Sequence, residues 1–261
     1  MTDAANTRAP LAGRVAVVTG GGSGIGKAIA LRFAAAGAMV IVVGRRAAAI
    51  EAVARAAGGE AIAADVAREA DVEKLFAAVA ARHGRLDALI NNAGVTGPVA
   101  AAAAMDMAAW DETVAINVRG VILCIKHALA IMRPRRAGSI VNMSSLMGLR
   151  GYPMRSAYCA TKFAVIGITQ AVAQEVGKEG IRVNAMCPGA VNGELMERVI
   201  AARARAEGRA PEEIIRTAYT DVAALRRWIE PEEVADVALF LASDASGSIT
   251  GEHLRVDAGR M

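Results

Sequence analysis

Seven short, almost wholly apolar runs punctuate this chain, with longer stretches of helical spacing between them. The runs are VAVVT (15–19), MVIVVG (39–44), EAIAAD (60–65), LDALIN (86–91), SIVNMS (139–144), IRVNAM (181–186) and HLRV (253–256). The helical stretches are 24–36, 47–57, 68–82, 108–132, 157–178 and 231–242, the last opening with Pro231-Glu232-Glu233 as helix starts do. A strand that is apolar at every position must be covered on both faces. The alternation therefore predicts an α/β fold of βαβ units, with a mostly parallel sheet between two layers of helix. No repeat, linker or compositional break divides the chain, so one domain is expected over 1–261. Residues 193–229 alone disturb the rhythm. They form two Arg/Glu/Ala-rich pieces split near Gly208 and Pro211, longer than a βαβ connection needs, and are expected to be a helical substrate lid.

Composition narrows the class. Of 261 residues, 54% are apolar and only 3% aromatic, with alanine the largest apolar contribution, which fits close-packed helices and excludes disorder. No uncharged, strongly apolar stretch of roughly 18 residues is evident, and the opening MTDAANTRAP lacks the build of a secretory signal. The expectation is a cytoplasmic protein with no membrane partner. Cys124, Cys159 and Cys187 are odd in number and widely spaced, as free thiols would be, and no Cys or His pair has metal-ligand spacing, so no metal is expected. The net charge of +4 raises nucleic acid as a partner. However, the basic residues form no polybasic run and are not interleaved with aromatics, so no nucleic acid is expected. The excess is regional: no Asp or Glu occurs from Thr113 through Gln174, a window that holds eight Lys and Arg.

The first apolar run leads directly into Thr19-Gly20-Gly21-Gly22-Ser23-Gly24-Ile25-Gly26 and a helix. Strand, glycine turn and helix start together present backbone N–H groups and a helix dipole to a pyrophosphate, with no side chains in the way. Gly20, Gly22, Ser23, Gly24, Ile25 and Gly26 are thus candidate cofactor residues. The second run ends Gly44-Arg45-Arg46, where a carboxylate would accept from a free adenosine ribose 2′-hydroxyl. Two guanidiniums there would instead pair with a 2′-phosphate, which favours NADP(H) and leaves NAD(H) possible. Asp65-Val66 closes the third run, where Asp65 either accepts from the adenine amino group or caps the next helix.

Tyr158 and Lys162 stand at i and i+4, on one face of one helix. A phenol titrates near 10, too high for proton exchange at neutral pH, and a neighbouring ammonium lowers it. Ser145 lies just past the fifth strand, at the carboxyl edge where open sheets bind ligands, and can hydrogen-bond a substrate carbonyl oxygen.

Taken together, TGGGSGIG, Asn91-Asn92-Ala93-Gly94, Asn117, Ser145 and the run YCATK from Tyr158 to Lys162 resemble the short-chain dehydrogenase/reductase family, in the same order and from about residue 11 to the end. The resemblance implies a Rossmann-like doubly wound sheet of seven strands in the order 3-2-1-4-5-6-7, three-layer αβα. It implies a nicotinamide-dependent oxidoreductase acting on an alcohol or carbonyl. Tyr158 would be the acid/base, Ser145 would polarise the substrate oxygen, and Lys162 would bind the nicotinamide ribose and depress the phenol. Asn117 would hold a water linking Lys162 to solvent. Asn91, Asn92, Ala93 and Gly94 would line the cofactor, with Pro188, Gly189 and Val191 at the nicotinamide. Family members often carry a threonine five residues after that proline, but this chain has Gly193, so cofactor anchoring would be weaker there or supplied by Asn192 or the lid. Resembling proteins pack their two long helices against another subunit, which implies a homo-oligomer, a tetramer or dimer.

Arg150 and Arg155 lie on the loop between Ser145 and Tyr158 and are candidates to clamp an acidic hydroxy or keto substrate. Met147, Tyr152, Met154, Leu195 and Met196 are candidates for an apolar wall. The leading reading is an NADP(H)-preferring dehydrogenase or reductase of a secondary alcohol or ketone. The alternatives are an NAD-dependent polyol or sugar-acid dehydrogenase and a non-catalytic dinucleotide-binding regulator; the intact Asn117, Ser145, Tyr158 and Lys162 argue against the latter.

Overall fold

A computed structural model describes residues 9–260. Its strands are β1 (Val15–Thr19), β2 (Met39–Gly44), β3 (Glu60–Ala63), β4 (Ala88–Asn91), β5 (Gly138–Met143), β6 (Ile181–Pro188) and β7 (His253–Val256). They form one parallel sheet in the order β3-β2-β1-β4-β5-β6-β7. The helices are α1 (Gly24–Ala35), α2 (Ala47–Ala57), α3 (Glu69–His83), α4 (Met107–Val114), α5 (Gly120–Met132), α6 (Ser156–Val176), α7 (Glu194–Glu207), α8 (Pro211–Ile215) and α9 (Pro231–Ala242).

The uninterrupted apolar character of the strands has a direct structural use. Successive residues point to opposite faces, so Val15, Val17, Ile41, Val43 and Leu89 enter a core shared with α3, α5 and α6. Their neighbours Ala16, Val18, Val40, Val42 and Ile90 enter a second core with α1, α2 and α9. Each face would be stranded in water if either helical layer were missing, and burying a Val or Ile side chain is worth about 1.5–3 kcal/mol.

The single helix expected over 108–132 is instead α4 and α5 joined by a π-helical turn, Ala115–Arg119. The interruption lies where the buried Asn117 turns inward to bond the chain after β4. Taken as one piece, Met107–Arg135 is long and apolar enough to cross a membrane, a stretch the sequence reading did not anticipate. Half of its most apolar 18-residue window is buried inside the fold, and both Arg119 and Lys126 pair with Glu69.

The segment after β6 contains α7, α8 and a π-helical turn, Arg216–Thr220. Ile200, Ala204 and Ile214 give it a small core of its own, with Met196, Tyr219 and Trp228 packed against it. Met196 is therefore packing inside this unit; the Leu195 side chain lies outside the described residues.

Candidate active site

Thr19, the last residue of β1, ties the glycine turn to the end of β4. Its hydroxyl donates to Ile90 O (3.2 Å) and accepts from the backbone N–H groups of Asn92 (3.0 Å) and Ala93 (3.1 Å). The Asn92 amide completes the clamp by donating to Thr19 O (3.0 Å) and Gly20 O (3.2 Å). These contacts leave no room for side chains. A Cβ on Gly26 would stand 2.3 Å from Gly20 O and 2.5 Å from the Asn92 amide nitrogen. Gly24 differs: it has a φ of +51°, and nothing lies within 4 Å of where its Cβ would be. Ser23 gives α1 no side-chain cap, and the first turn holds no acid, so the positive helix end faces this open space uncompensated. The cradle fits a pyrophosphate, as the sequence predicts.

At the end of β2, Arg45 and Arg46 are exposed and neither has an ion-pair partner among the described residues. Arg46 Nη2 donates to Ser23 Oγ across 3.3 Å, which places one guanidinium over the turn. The Asp65 carboxylate accepts from the Ala67 N–H at 3.1 Å, within the turn that precedes α3, whose N-cap is Arg68; this is a turn contact and not a helix cap. Val66 is buried in the core with α5, where a Cβ on Gly120 would touch it, so its side chain does not line the cofactor cradle.

β5 delivers two serines to its carboxyl edge. Ser144 Oγ donates to Lys162 O (2.8 Å), fastening the turn after β5 to α6, while Ser145 Oγ accepts from the Met147 N–H (3.2 Å). Tyr158 stands beside Ser145. Burial pushes the phenol above its ordinary value, and the opposing influences are the Ser145 hydroxyl first and the Arg155 charge second. Lys162 is 4% exposed, and burial lowers its ammonium to about 8. Its Nζ donates to Met143 O (2.7 Å) and lies 5.5 Å from the Tyr158 ring centroid. The sequence made Lys162 the cation acting on the phenol; the structure sets Arg155 beside the same ring as well, its guanidinium carbon 5.3 Å from the centroid.

Asn117 uses its whole amide. Oδ1 accepts from the Val95 N–H (2.8 Å), and Nδ2 donates to Val95 O (2.8 Å) and Thr161 Oγ1 (3.2 Å). It thereby fixes the loop after β4 beside Gly94, whose Cβ position lies 3.1 Å from Asn117 Oδ1 and 3.7 Å from Lys162 Nζ. The Asn91 side chain is engaged inside the fold. Its amide donates to Asn142 Oδ1 (2.9 Å), Asn142 donates to Thr169 Oγ1 (2.9 Å), and Thr169 donates to Val165 O (2.7 Å) in a buried chain from β4 to α6. That chain, like the roles of Thr19 and Ser144, was missed by sequence reasoning. The legible signal was polar residues inside otherwise apolar strands.

After β6, Gly189 donates to Val256 O (2.9 Å) and packs within 3.0 Å of Ile229 at its Cβ position, while Val191 bridges to Ile229. Asn192, a candidate substitute for the missing threonine, donates its amide nitrogen to the Glu230 carboxylate (3.2 Å). On the loop before α6, Arg150 folds onto Tyr152, with Nε donating to the hydroxyl at 2.9 Å. Met147 and Tyr152 are half-buried, whereas Met154 is exposed. Arg155 turns inward instead, donating to Thr96 O (3.1 Å), with its guanidinium carbon 5.3 Å from the Tyr158 ring centroid. The structure therefore gives different surroundings to the two arginines, either of which the sequence offered as a substrate clamp.

Comparison with known proteins agrees with this geometry. A family model described as enoyl-(acyl carrier protein) reductase matches residues 20–260. The 2,5-dichloro-2,5-cyclohexadiene-1,4-diol dehydrogenase of Sphingobium indicum is 38% identical over 95% of this chain and 97% of its own. The cis-4-hydroxycyclohexanecarboxylate dehydrogenase of Sinomonas cyclohexanicum is 41% identical over 94% of this chain and 96% of its own. The crystal structure of an NAD+-bound xylitol dehydrogenase superposes with a TM-score of 0.89 at 31% identity, covering 95% of this chain and 99% of that one. With relatives this similar over nearly the full length of both chains, the protein belongs to the short-chain dehydrogenase/reductase family and is a nicotinamide-dependent oxidoreductase that interconverts an alcohol and a carbonyl.

Proposed function

We propose that this protein is an NADP(H)-preferring dehydrogenase or reductase of a secondary alcohol or ketone carried on a small carbon ring, acidic ring alcohols included. The observation that carries the reaction is the Tyr158 phenol beside the Ser145 hydroxyl, at the carboxyl edge of β5 and next to the glycine cradle. Ser145 donates to the substrate oxygen and orients it. Tyr158 exchanges the hydroxyl proton, taking it when an alcohol is oxidised and giving it when a ketone is reduced. A bound nicotinamide supplies the hydride acceptor or donor. Lys162, held against Met143 O, is placed for the nicotinamide ribose, with Asn117 and Gly94 fixing the wall opposite. Gly20, Gly22, Ser23, Gly24, Ile25 and Gly26 take the pyrophosphate, and Asn92, Ala93, Gly94, Pro188, Gly189 and Val191 complete the cofactor groove. Residues 193–229 act as the substrate lid.

The cofactor preference rests on Arg45 and Arg46 at the end of β2, where no carboxylate stands to receive a free 2′-hydroxyl. The ring substrate is supported by the two relatives whose names specify ring alcohols, one of them a carboxylate. The NAD+-bound xylitol dehydrogenase favours a second reading, NAD-dependent polyol oxidation. Initial rates with each cofactor against ring alcohols, hydroxy acids and polyols separate the two. Faster turnover with NAD+ and a polyol would overturn the first. We place the protein in the cytoplasm, consistent with three buried free cysteines, and read the exposed Ile122 of α5 and Phe163 of α6 as part of a homo-oligomer face.

A further inference from the structure

Arg155 precedes α6 and lies three residues before Tyr158, yet its surroundings are unlike those of any surface arginine in this chain. Its Nη2 is anchored on Thr96 O (3.1 Å), in the loop that leaves β4. Its Nε is buried with no hydrogen-bond partner, and among the described residues it makes no ion pair. Arg150, five residues earlier, is exposed and folded onto Tyr152. Locally, the Arg155 N–H donates to Tyr152 O (3.2 Å) and its carbonyl receives the Cys159 N–H (2.9 Å), so the backbone is fixed on both sides. The guanidinium carbon ends 5.3 Å from the Tyr158 ring centroid, slightly closer than Lys162 Nζ at 5.5 Å.

We propose that Arg155 is a second cation of the reaction centre, a positioning residue that holds the Tyr158 phenol in place and favours its ionised form. This rests on Tyr158 being the acid/base. The groups facing that phenol are Ser145 after β5, and Cys159 and Lys162 on α6, with Cys187 of β6 beside Lys162. No carboxylate is among them, and none occurs anywhere from Thr113 through Gln174 to neutralise the arginine. A half-buried guanidinium without an anionic partner leaves its field for the nearest ionisable group. Burial lowers Lys162 to about 8, so that ammonium loses its charge at alkaline pH.

The test compares Arg155→Gln, Arg155→Met and Arg155→Lys with the native enzyme. The chain has three tyrosines, so the difference in phenolate absorbance between each protein and its Tyr158→Phe counterpart isolates this phenol without any turnover. The pH profile of kcat/KM for alcohol oxidation is read in parallel. The neutral variants are expected to move the phenol titration and the rising limb of the profile together to higher pH. A roughly tenfold loss at neutral pH should recover at alkaline pH, with KM for an uncharged substrate unchanged and Arg155→Lys closer to native. An unmoved phenol titration in a folded neutral variant would overturn the proposal. So would a rise in KM confined to anionic substrates, which would make Arg155 a substrate clamp. If Tyr158→Phe kept full turnover, the acid/base reading would fall, while the absorbance titration would still decide whether Arg155 governs the phenol.

Discussion

The ammonium of Lys162 donates to the backbone carbonyl oxygen of Met143 across 2.7 Å, so a side chain from α6 returns to the end of β5 immediately before Ser144 and Ser145. The helix and the strand edge are tied a second time by Ser144 Oγ and Lys162 O. The buried lysine is thus a structural strut between α6 and β5, beside the Tyr158 ring.

That burial gives a pH signature. Lys162 falls from an ordinary 10.5 to about 8, so between those values the unfolded chain binds more protons than the folded one. Stability from this group therefore rises as pH increases from about 8 toward 10.5, and below 8 the buried charge is a constant penalty. Lys162→Met should remove this rise, as read from the pH dependence of the urea midpoint. Parallel profiles for the two proteins would contradict it.

Tyr158→Phe should leave the fold intact, because the phenol has no partner whose loss strands a buried group beyond Ser145. Turnover should fall by about 10²–10⁴-fold, the range for a positioned acid or base. Steady-state rates combined with an unchanged melting profile check this, and a rate within tenfold of native would reject the assignment.

Replacing Arg45 and Arg46 together by Ala should weaken NADP(H) far more than NAD(H). Loss of charge-assisted hydrogen bonds worth about 1.5–3 kcal/mol corresponds to a roughly ten- to hundredfold rise in Kd for the phosphorylated cofactor. Equilibrium titration of cofactor fluorescence with both forms is the measurement, and an equal effect on each would locate the 2′-phosphate elsewhere.

Gly193 leads into α7 with a φ of +142°, and nothing lies within 4 Å of its Cβ position. The barrier to a side chain is thus backbone strain and not crowding. Gly193→Thr should fail to restore a carboxamide anchor and should instead lower kcat by disturbing the entry to 194–220. A tighter cofactor Kd in this variant would show that the segment accepts a threonine after all.

Much of the fold was legible because its signals are local. All seven strand candidates lie within two residues of the observed strands at either end, and α2 and α9 begin and end where the spacing places them. The glycine turn was legible for the same reason, since close approach of Gly20, Gly26 and Asn92 requires residues that the sequence names outright. The split of 108–132 was not, because the π turn depends on Asn117 reaching Val95, a partner 22 residues away. Nor was the engagement of Asn91 with Asn142, 51 residues on, which makes its side chain a buried strut.

The sequence by itself determined the layers and the strand content, since periodicity is a property of neighbours along the chain, and its resemblance to the family singled out Asn117, Ser145, Tyr158 and Lys162. Only the tertiary structure decided that Arg155 joins Lys162 at the phenol ring. Arg155 and Arg150 are alike in sequence, both on the loop before α6. One is drawn inward by Thr96 across the fold and the other is held outside by Tyr152. The direction of a long, flexible side chain is set by partners that meet it only after folding, and a hydrogen bond to a distant carbonyl leaves no trace in local pattern.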